Sequence, residues 1–296
     1  MRALRRKIDF LPYAFLSPAL IATLLVVLVP IVEAASYSMM HYILWKPKAK
    51  AFVLFQNYSD MLGDPIFWIA LKNTIIWIAG VVALQLLLGF FTAMLLNQDF
   101  PLRGIVRSLI LIPWVTPSVI TALMWRWMYD GNSGVINDLL VRLGILKQFF
   151  PFLADSNTAL GSIMVALMWQ GFPFFAIMIL AGLQAIPEEL YEAAIVDGAN
   201  AVQSFFRITL PMLVPVLLTS ILLRIIWVAN SLDIIYIMTE GGPGYSTYTL
   251  PLYSYLKAYK NMDFGYASAL AIVISLLLAV VVAVYVMRAV KSEDRL

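Results

Sequence analysis

Four carboxylates crowd one short stretch between two apolar runs: Glu188, Glu189, Glu192 and Asp197, within Glu188-Glu189-Leu190-Tyr191-Glu192-Ala193-Ala194-Ile195-Val196-Asp197-Gly198. Clustered carboxylates can serve acid–base catalysis or hold a cation. Here no histidine or cysteine stands beside them, since the chain has one histidine, His41, and no cysteine. Recognition is the chemistry left to them. Pro187 suits the first helical position, where a missing N–H costs nothing. The three glutamates then lie at the positive end of the helix dipole, and Gly198 reads as a stop, because glycine enters the left-handed region cheaply. The pattern predicts a helix of about three turns, a break at Gly198 and a second short helix closed by Pro211. Ala193 and Ala194 leave the first helix slim, so a partner's backbone could approach it closely. A compact acidic helix at a membrane surface has the shape to dock in a partner's groove. A plain polar loop joining two membrane helices is the competing reading.

A second set of candidates lies inside apolar stretches, where polar groups are expensive and so functional by default. An expected fifth helix carries Arg224, Trp227, Asn230, Ser231, Asp233 and Tyr236. Trp227, Asn230 and Asp233 recur every three residues and would share a broad face. An aromatic ring beside hydrogen-bonding groups suits a sugar, whose C–H face stacks while its hydroxyls seek partners. Trp227, Asn230, Asp233 and Tyr236, with Gln85 in the second helix and Trp169 in the fourth, are the candidate pathway residues. Asn73, Thr74 and Gln170 are weaker ones. The alternative is that Asn230 and Asp233 only join helices, at about 0.6 kcal/mol per contact, and that Trp169 only packs. Arg224 and Asp233 stand some 13 Å apart along a helix axis, too far to pair. Arg224 would then bind carbonyls or another helix.

These side chains need membrane helices to hold them. Of the 296 residues, 62% are hydrophobic and 12% charged, with mean hydropathy +0.88, against about 45–50% and 25% in soluble domains. Apolar runs near ~20 residues make this an all-α polytopic membrane protein. We read six transmembrane helices, at about 10–38, 66–97, 105–129, 158–184, 212–238 and 266–288. Pro18 and Pro30 are expected to kink the first, and Pro113 and Pro117 to break the third. The whole chain, 1–296, reads as one transmembrane domain, with 66–288 as its core helices and 186–211 as a loop. Arg2, Arg5, Arg6 and Lys7 place the N-terminus in the cytoplasm. Six helices put the C-terminus and the acidic loop there too. A net charge of +3 with no basic cluster beyond the N-terminus argues against nucleic acid. One histidine and no cysteine argue against a metal site.

The spacing in the acidic loop carries a resemblance. Glu192-Ala193-Ala194, three residues, Gly198, nine residues, then Ile208-x-Leu210-Pro211 resembles the signature loop of ABC-importer membrane subunits, matching every fixed position. Arg107 to Pro113 with Pro117 and Trp125-Arg126-Trp127-Met128, and Asp233 to Pro243, resemble the carbohydrate-type members. This resemblance implies the type I importer permease fold in a prokaryotic cytoplasmic (inner) membrane. It implies import of an oligosaccharide, disaccharide or glycerol phosphate. It also implies a second permease subunit as heterodimer partner, two ATP-binding cassette subunits and an extracytoplasmic solute-binding protein. In that family the loop sits in a cleft of the ATPase, which gives Glu192, Ala193, Ala194, Gly198, Ile208, Leu210 and Pro211, with Asp197 beside them, a coupling role. ATP and Mg would be used by the partner ATPase, with no cofactor on this chain. No Gly-x-x-x-x-Gly-Lys-Ser/Thr loop occurs here, in keeping with a non-catalytic subunit. Gly241-Gly242-Pro243-Gly244 lacks the lysine and reads as a turn. An ATP-independent secondary transporter or channel would explain the helices but not the full loop pattern.

Overall fold

The computed structural model describes residues 11–46, 48 and 50–293, with side chains for 15–46, 48 and 50–287. The basic cluster Arg2, Arg5, Arg6 and Lys7 lies outside the described residues, as do Asp294 and Arg295. The chain divides into two units, Met1–Gly63 with Ser254–Ser275, and Asp64–Tyr253 with Leu276–Leu296.

The first unit begins with α1 (Leu11–Thr23), a wide turn of π-helix (Leu24–Leu28) and α2 (Val29–Ser38). Pro30 explains that wide turn. Its ring would clash with a carbonyl one turn back in a regular helix, and the Val29 N–H reaches instead to the Leu24 carbonyl, five residues earlier. A small antiparallel ribbon follows, β1 (Met40–His41) with β2 (Ala51–Phe52), Met40 facing Phe52, then α3 (Gln56–Leu62). Buried Asn57 ties the ribbon to α2 by donating to Ser38 O at 2.8 Å and Met40 O at 2.9 Å. His41 is exposed on β1, as expected of a loop-side residue.

The second unit holds α4 (Pro65–Leu96), α5 (Arg103–Ile110), α6 (Ile112–Val115), α7 (Ser118–Met128), α8 (Val135–Arg142), α9 (Ala159–Gln184), α10 (Glu188–Val196), α11 (Ala201–Ser204), α12 (Leu210–Ala229) and α13 (Asp233–Thr239). Two further helices, α14 (Leu250–Tyr259) and α15 (Phe264–Glu293), complete the chain. Asp64 caps α4, accepting from Ile66 N at 2.9 Å. The α4–α9 pair is the packed centre of this unit. Small residues let the two helices close up: Ala93, Ala166 and Ala176 are fully buried, and a Cβ at Gly89 would lie 2.5 Å from Phe175 Cβ and 2.9 Å from Phe172 O. Close backbone approach through small residues is how helices associate where lipid removes the hydrophobic drive.

Among the described residues, five helical stretches are long and apolar enough to span a bilayer: Phe15–Ser38, Pro65–Leu96, Ala159–Gln184, Ala201–Ala229 and Phe264–Met287. The third expected helix is a pair, Arg103–Val115 and Ser118–Met128, bent by 92°. The break falls at Thr116-Pro117, and the freed Thr116 carbonyl accepts from Gln170 Nε2 of α9 at 3.0 Å, as a proline break in a membrane helix requires.

Three expectations are corrected. The fifth helix is not continuous to Met238; it stops at Ala229 and resumes at Asp233. Two side chains compete for its last carbonyls: Trp77 Nε1 of α4 donates to Val228 O at 3.0 Å, and Asn230 Nδ2 to Ile226 O at 2.8 Å. Pro211 does not close a short helix, because the chain is helical from Ala201 to Ala229. As at Pro30, a π turn (Phe205–Thr209) precedes the proline, and Leu210 N–H reaches the Phe205 carbonyl. Pro187 stands one residue before the helix, as its N-cap.

Candidate functional site

Two features could carry function, an exposed bent hairpin of helices and a polar cavity within the second unit. The hairpin is α10 and α11. No residue of α10 is buried. Its end is a Schellman motif: Gly198, at φ +78°, donates to Ile195 O at 3.0 Å, and Ala199 N to Ala194 O at 2.8 Å. Asn200 then opens α11 with a capping box, exchanging 2.9 Å bonds with Gln203 in both directions. Tyr191 OH meets Thr209 Oγ1 at 2.8 Å, pinning α10 to the start of the long helix that becomes α12. The turn between α10 and α11 and the contact from α10 to the long helix are thus each held by hydrogen bonds.

The residues singled out in this loop differ in exposure. Glu192, Ala193, Asp197 and Gly198 are exposed, as is Pro211, while Ala194, Ile208 and Leu210 are half-buried. Ala194, Asp197, Gly198, Arg207 and Ile208 line a groove of about 320 Å³. Beside the carboxylates, Ile195 and Val196 are 70% and 86% exposed. An apolar tip rimmed by charge is the composition of a docking surface.

The cavity lies among α6, α9 and α12. It measures about 270 Å³ and is lined by Trp114, Gln170, Gly171, Arg224, Trp227 and Ser231, with Leu167 and Val228. Its polar wall is a relay. Arg224 Nε donates to Gln85 Oε1 at 2.8 Å, and Gln85 Nε2 donates to Leu167 O at 2.7 Å. Gln85 is fully buried and Arg224 is 7% exposed. The guanidinium also lies 5.7 Å from the Trp227 ring and 6.0 Å from Phe174, a cation–π cradle. Gly171 makes room for the relay, since a Cβ there would stand 2.1 Å from Gln85 Nε2 and 2.2 Å from Arg224 Nη2. An arginine at mid-helix costs about 2.5–3.5 kcal/mol on insertion scales, so these partners offset a real penalty.

The structure sorts the six candidate pathway residues. Trp227, 46% exposed, faces the cavity, and Gln85 supports it from behind. Trp169 packs edge-on against Trp125 at 6.1 Å. Asn230 is exposed and bonds back to its own helix. Asp233 starts α13 and accepts from Ser231 Oγ at 3.4 Å, and Tyr236 is half-buried on α13. The helix break therefore removes the shared face expected of Trp227, Asn230 and Asp233. Asn73 and Thr74 also have structural work: Asn73 Nδ2 donates to Ser246 O at 3.0 Å and Thr74 Oγ1 accepts from Leu250 N at 2.8 Å. Arg224 binds another helix, as expected, through Gln85 of α4; what sequence reasoning missed was that it lines the cavity, with Trp114, Gly171 and Ser231. A full charge in mid-helix was the available signal.

At the far end of α7 and α13, a second hollow of about 480 Å³ is lined by Arg126, Asp130, Gly131, Pro151, Thr239 and Glu240, among others. Asp130 is held below the usual carboxylate range by the backbone N–H groups of Asn132 and Ser133 and by the Ser133 hydroxyl. Glu240 and Gly241 adopt positive φ, Gly242–Pro243 is cis, and buried Thr247 bonds Thr239 Oγ1 at 2.8 Å and Gly242 O at 3.0 Å. The glycine-rich run is the turn it was expected to be.

Residues 85–292 match the family described as binding-protein-dependent transport system inner membrane component, and the chain belongs to that family. It is a multi-pass membrane permease component of an ABC importer. Similar proteins include the sulfoquinovosyl glycerol transport system permease protein SmoG of Agrobacterium fabrum, 38% identical over 94% of this chain and 90% of the relative. The trehalose/maltose transport system permease protein MalF of Thermococcus litoralis is 36% identical over 88% of each. Among solved structures, a bacterial ABC transporter involved in import of the acidic polysaccharide alginate superposes with a TM-score of 0.82, at 22% identity and 96% coverage of both chains. That likeness establishes the ABC importer permease fold.

Proposed function

We propose that this chain is the translocating, non-catalytic subunit of an ATP-driven sugar importer. A second permease subunit lines the other half of the pathway, and two ATP-binding cassette subunits use ATP and Mg on the cytoplasmic side. An extracytoplasmic binding protein delivers the sugar. Both termini and the α10–α11 loop face the cytoplasm. The observation that carries this reading is α10: an unburied helix, closed at its C-terminal end by Gly198 and bonded through Tyr191 to the root of α12. ATPase closure moves α10 as a rigid element, and α12 carries the motion to the cavity, because packed helices exchange discrete arrangements rather than deform continuously. The named cargoes of two relatives, sulfoquinovosyl glycerol and trehalose/maltose, support a carbohydrate. So do the tryptophans of the cavity, which offer stacking faces beside Gln170 and Ser231. At about 270 Å³ the cavity falls just under the ~300 Å³ at which small-molecule sites usually begin, as expected of half a site completed by a partner.

The test is sugar uptake into proteoliposomes holding the complete complex and its binding protein. Uptake is expected only with ATP inside and binding protein outside. Uptake at the same rate without ATP would replace this reading with a secondary transporter.

A further inference from the structure

Among the described residues, no acid pairs with Arg224. Its Nε is used on Gln85 Oε1, a neutral amide. No hydrogen bond within the described chain takes its Nη groups, which lie against the bare backbone of Gly171 on the cavity wall. Two ion pairs among the described residues, Arg103–Asp99 and Arg142–Asp138, lie away from the cavity lining. No carboxylate stands among the residues that line the cavity, and Asp233 accepts from Ser231 Oγ at 3.4 Å.

A neutral sugar does not need this arrangement. Its hydroxyls can be met by Gln170 and Ser231, and its C–H face by Trp114 and Trp227, all on the same wall. A guanidinium adds something different: a permanent charge and a planar fork of donors that fits two oxygens of a carboxylate, sulfonate or phosphate. Such a charge inside a membrane protein pairs with another charge or with backbone carbonyls, or marks a substrate or ion pathway. We propose that the cargo is a sugar carrying an oxyanion, a carboxylate, sulfonate or phosphate ester, and that the Nη groups of Arg224 pair with that oxyanion during passage. Gln85 and the Trp227 and Phe174 rings orient the guanidinium, and Gly171 leaves it exposed to the cavity. This inference rests on the proposed sugar importer.

The experiment is isothermal titration of the whole permease–ATPase complex with matched glucose disaccharides: the neutral sugar, its uronate, its 6-sulfonate and its 6-phosphate. Inorganic sulfate alone is titrated as well. At least one charged disaccharide is expected to bind ten-fold or more tightly than the neutral one, and more tightly than sulfate. Arg224→Gln is expected to bring that sugar to the neutral level, and Arg224→Lys to keep part of the preference. Equal affinity for neutral and charged sugars in the wild type would overturn the proposal without needing any variant. So would a preference that survives Arg224→Gln, or sulfate binding as tightly as the charged sugar. ATP-dependent uptake of neutral sugars alongside equal affinities would leave the importer standing and remove only this inference. It would assign the counter-charge to the second permease. Uptake without ATP would remove the importer itself.

Discussion

Charge reversal at Glu192 is expected to abolish most ATP-driven uptake while leaving the membrane helices folded. Glu192 is exposed on a helix with no buried residue, and it makes no hydrogen bond or ion pair within the described chain. Surface substitutions of that kind usually change stability by less than about 0.5 kcal/mol. Its effect must therefore appear in the assembly. If α10 docks in a groove of the ATPase, a lysine at this position puts the wrong charge at a desolvated contact. Central interface contacts of this type are worth about 2–4 kcal/mol, or roughly 30- to 1000-fold in affinity. Tagged permease carrying Glu192→Lys should retain little ATPase on purification, and its thermal melting should match the wild type. Normal retention with normal uptake would deny α10 a coupling role.

The second large effect is expected at Gly171. Alanine at a helical glycine normally stabilises by about 1 kcal/mol. Gly161, on the same helix α9, is a fair example, since a Cβ there meets nothing within 4 Å. At Gly171 the same methyl group would stand 2.1 Å from Gln85 Nε2 and 2.2 Å from Arg224 Nη2. Either the relay from Arg224 to Leu167 breaks or the guanidinium swings into the cavity. Overpacking costs about 1–3 kcal/mol, and a stranded buried donor costs a further ~1–3 kcal/mol. Gly171→Ala should thus lower the melting temperature and cut uptake at least ten-fold, while Gly161→Ala leaves both unchanged or slightly improved. Equal behaviour of the two variants in melting and uptake would show that the relay positions nothing.

The contrast between the two sites explains what the sequence made legible. The loop could be read because its determinants are local: Gly198 must take a positive φ, and the caps lie within three residues of their partners. The spans at α4 and α9 were readable for the same reason, being continuous apolar runs with Asp64 or a turn before them. The cavity was not. Gln85 and Arg224 are separated by 139 positions, and neither residue's neighbours reveal the other. The break after Ala229 was hidden in the same way, since the indole that takes the Val228 carbonyl sits 151 positions earlier, at Trp77. The mostly apolar stretch from Met212 to Met238 reads as one helix, because Asn230, Ser231 and Asp233 are too few to mark the break on hydropathy and the competition for its carbonyls comes from a distant indole. Proline was misread differently. Pro211 looked like a terminator, but a π turn before it absorbs the clash, a device repeated at Pro30.

The most direct test of the account is a cysteine placed at Ile195, on the exposed tip of α10. The chain has no native cysteine, so a single thiol reports without background. Leu143, exposed next to α8 in the segment expected on the opposite side, serves as the control. In membranes containing the full complex, Ile195→Cys should cross-link to the ATPase subunit and resist an impermeant thiol reagent added from outside. Leu143→Cys should react with that reagent and form no ATPase cross-link. Labelling of Ile195→Cys from outside, or its failure to cross-link while the complex hydrolyses ATP, would contradict the claim that this loop couples the ATPase to the membrane helices.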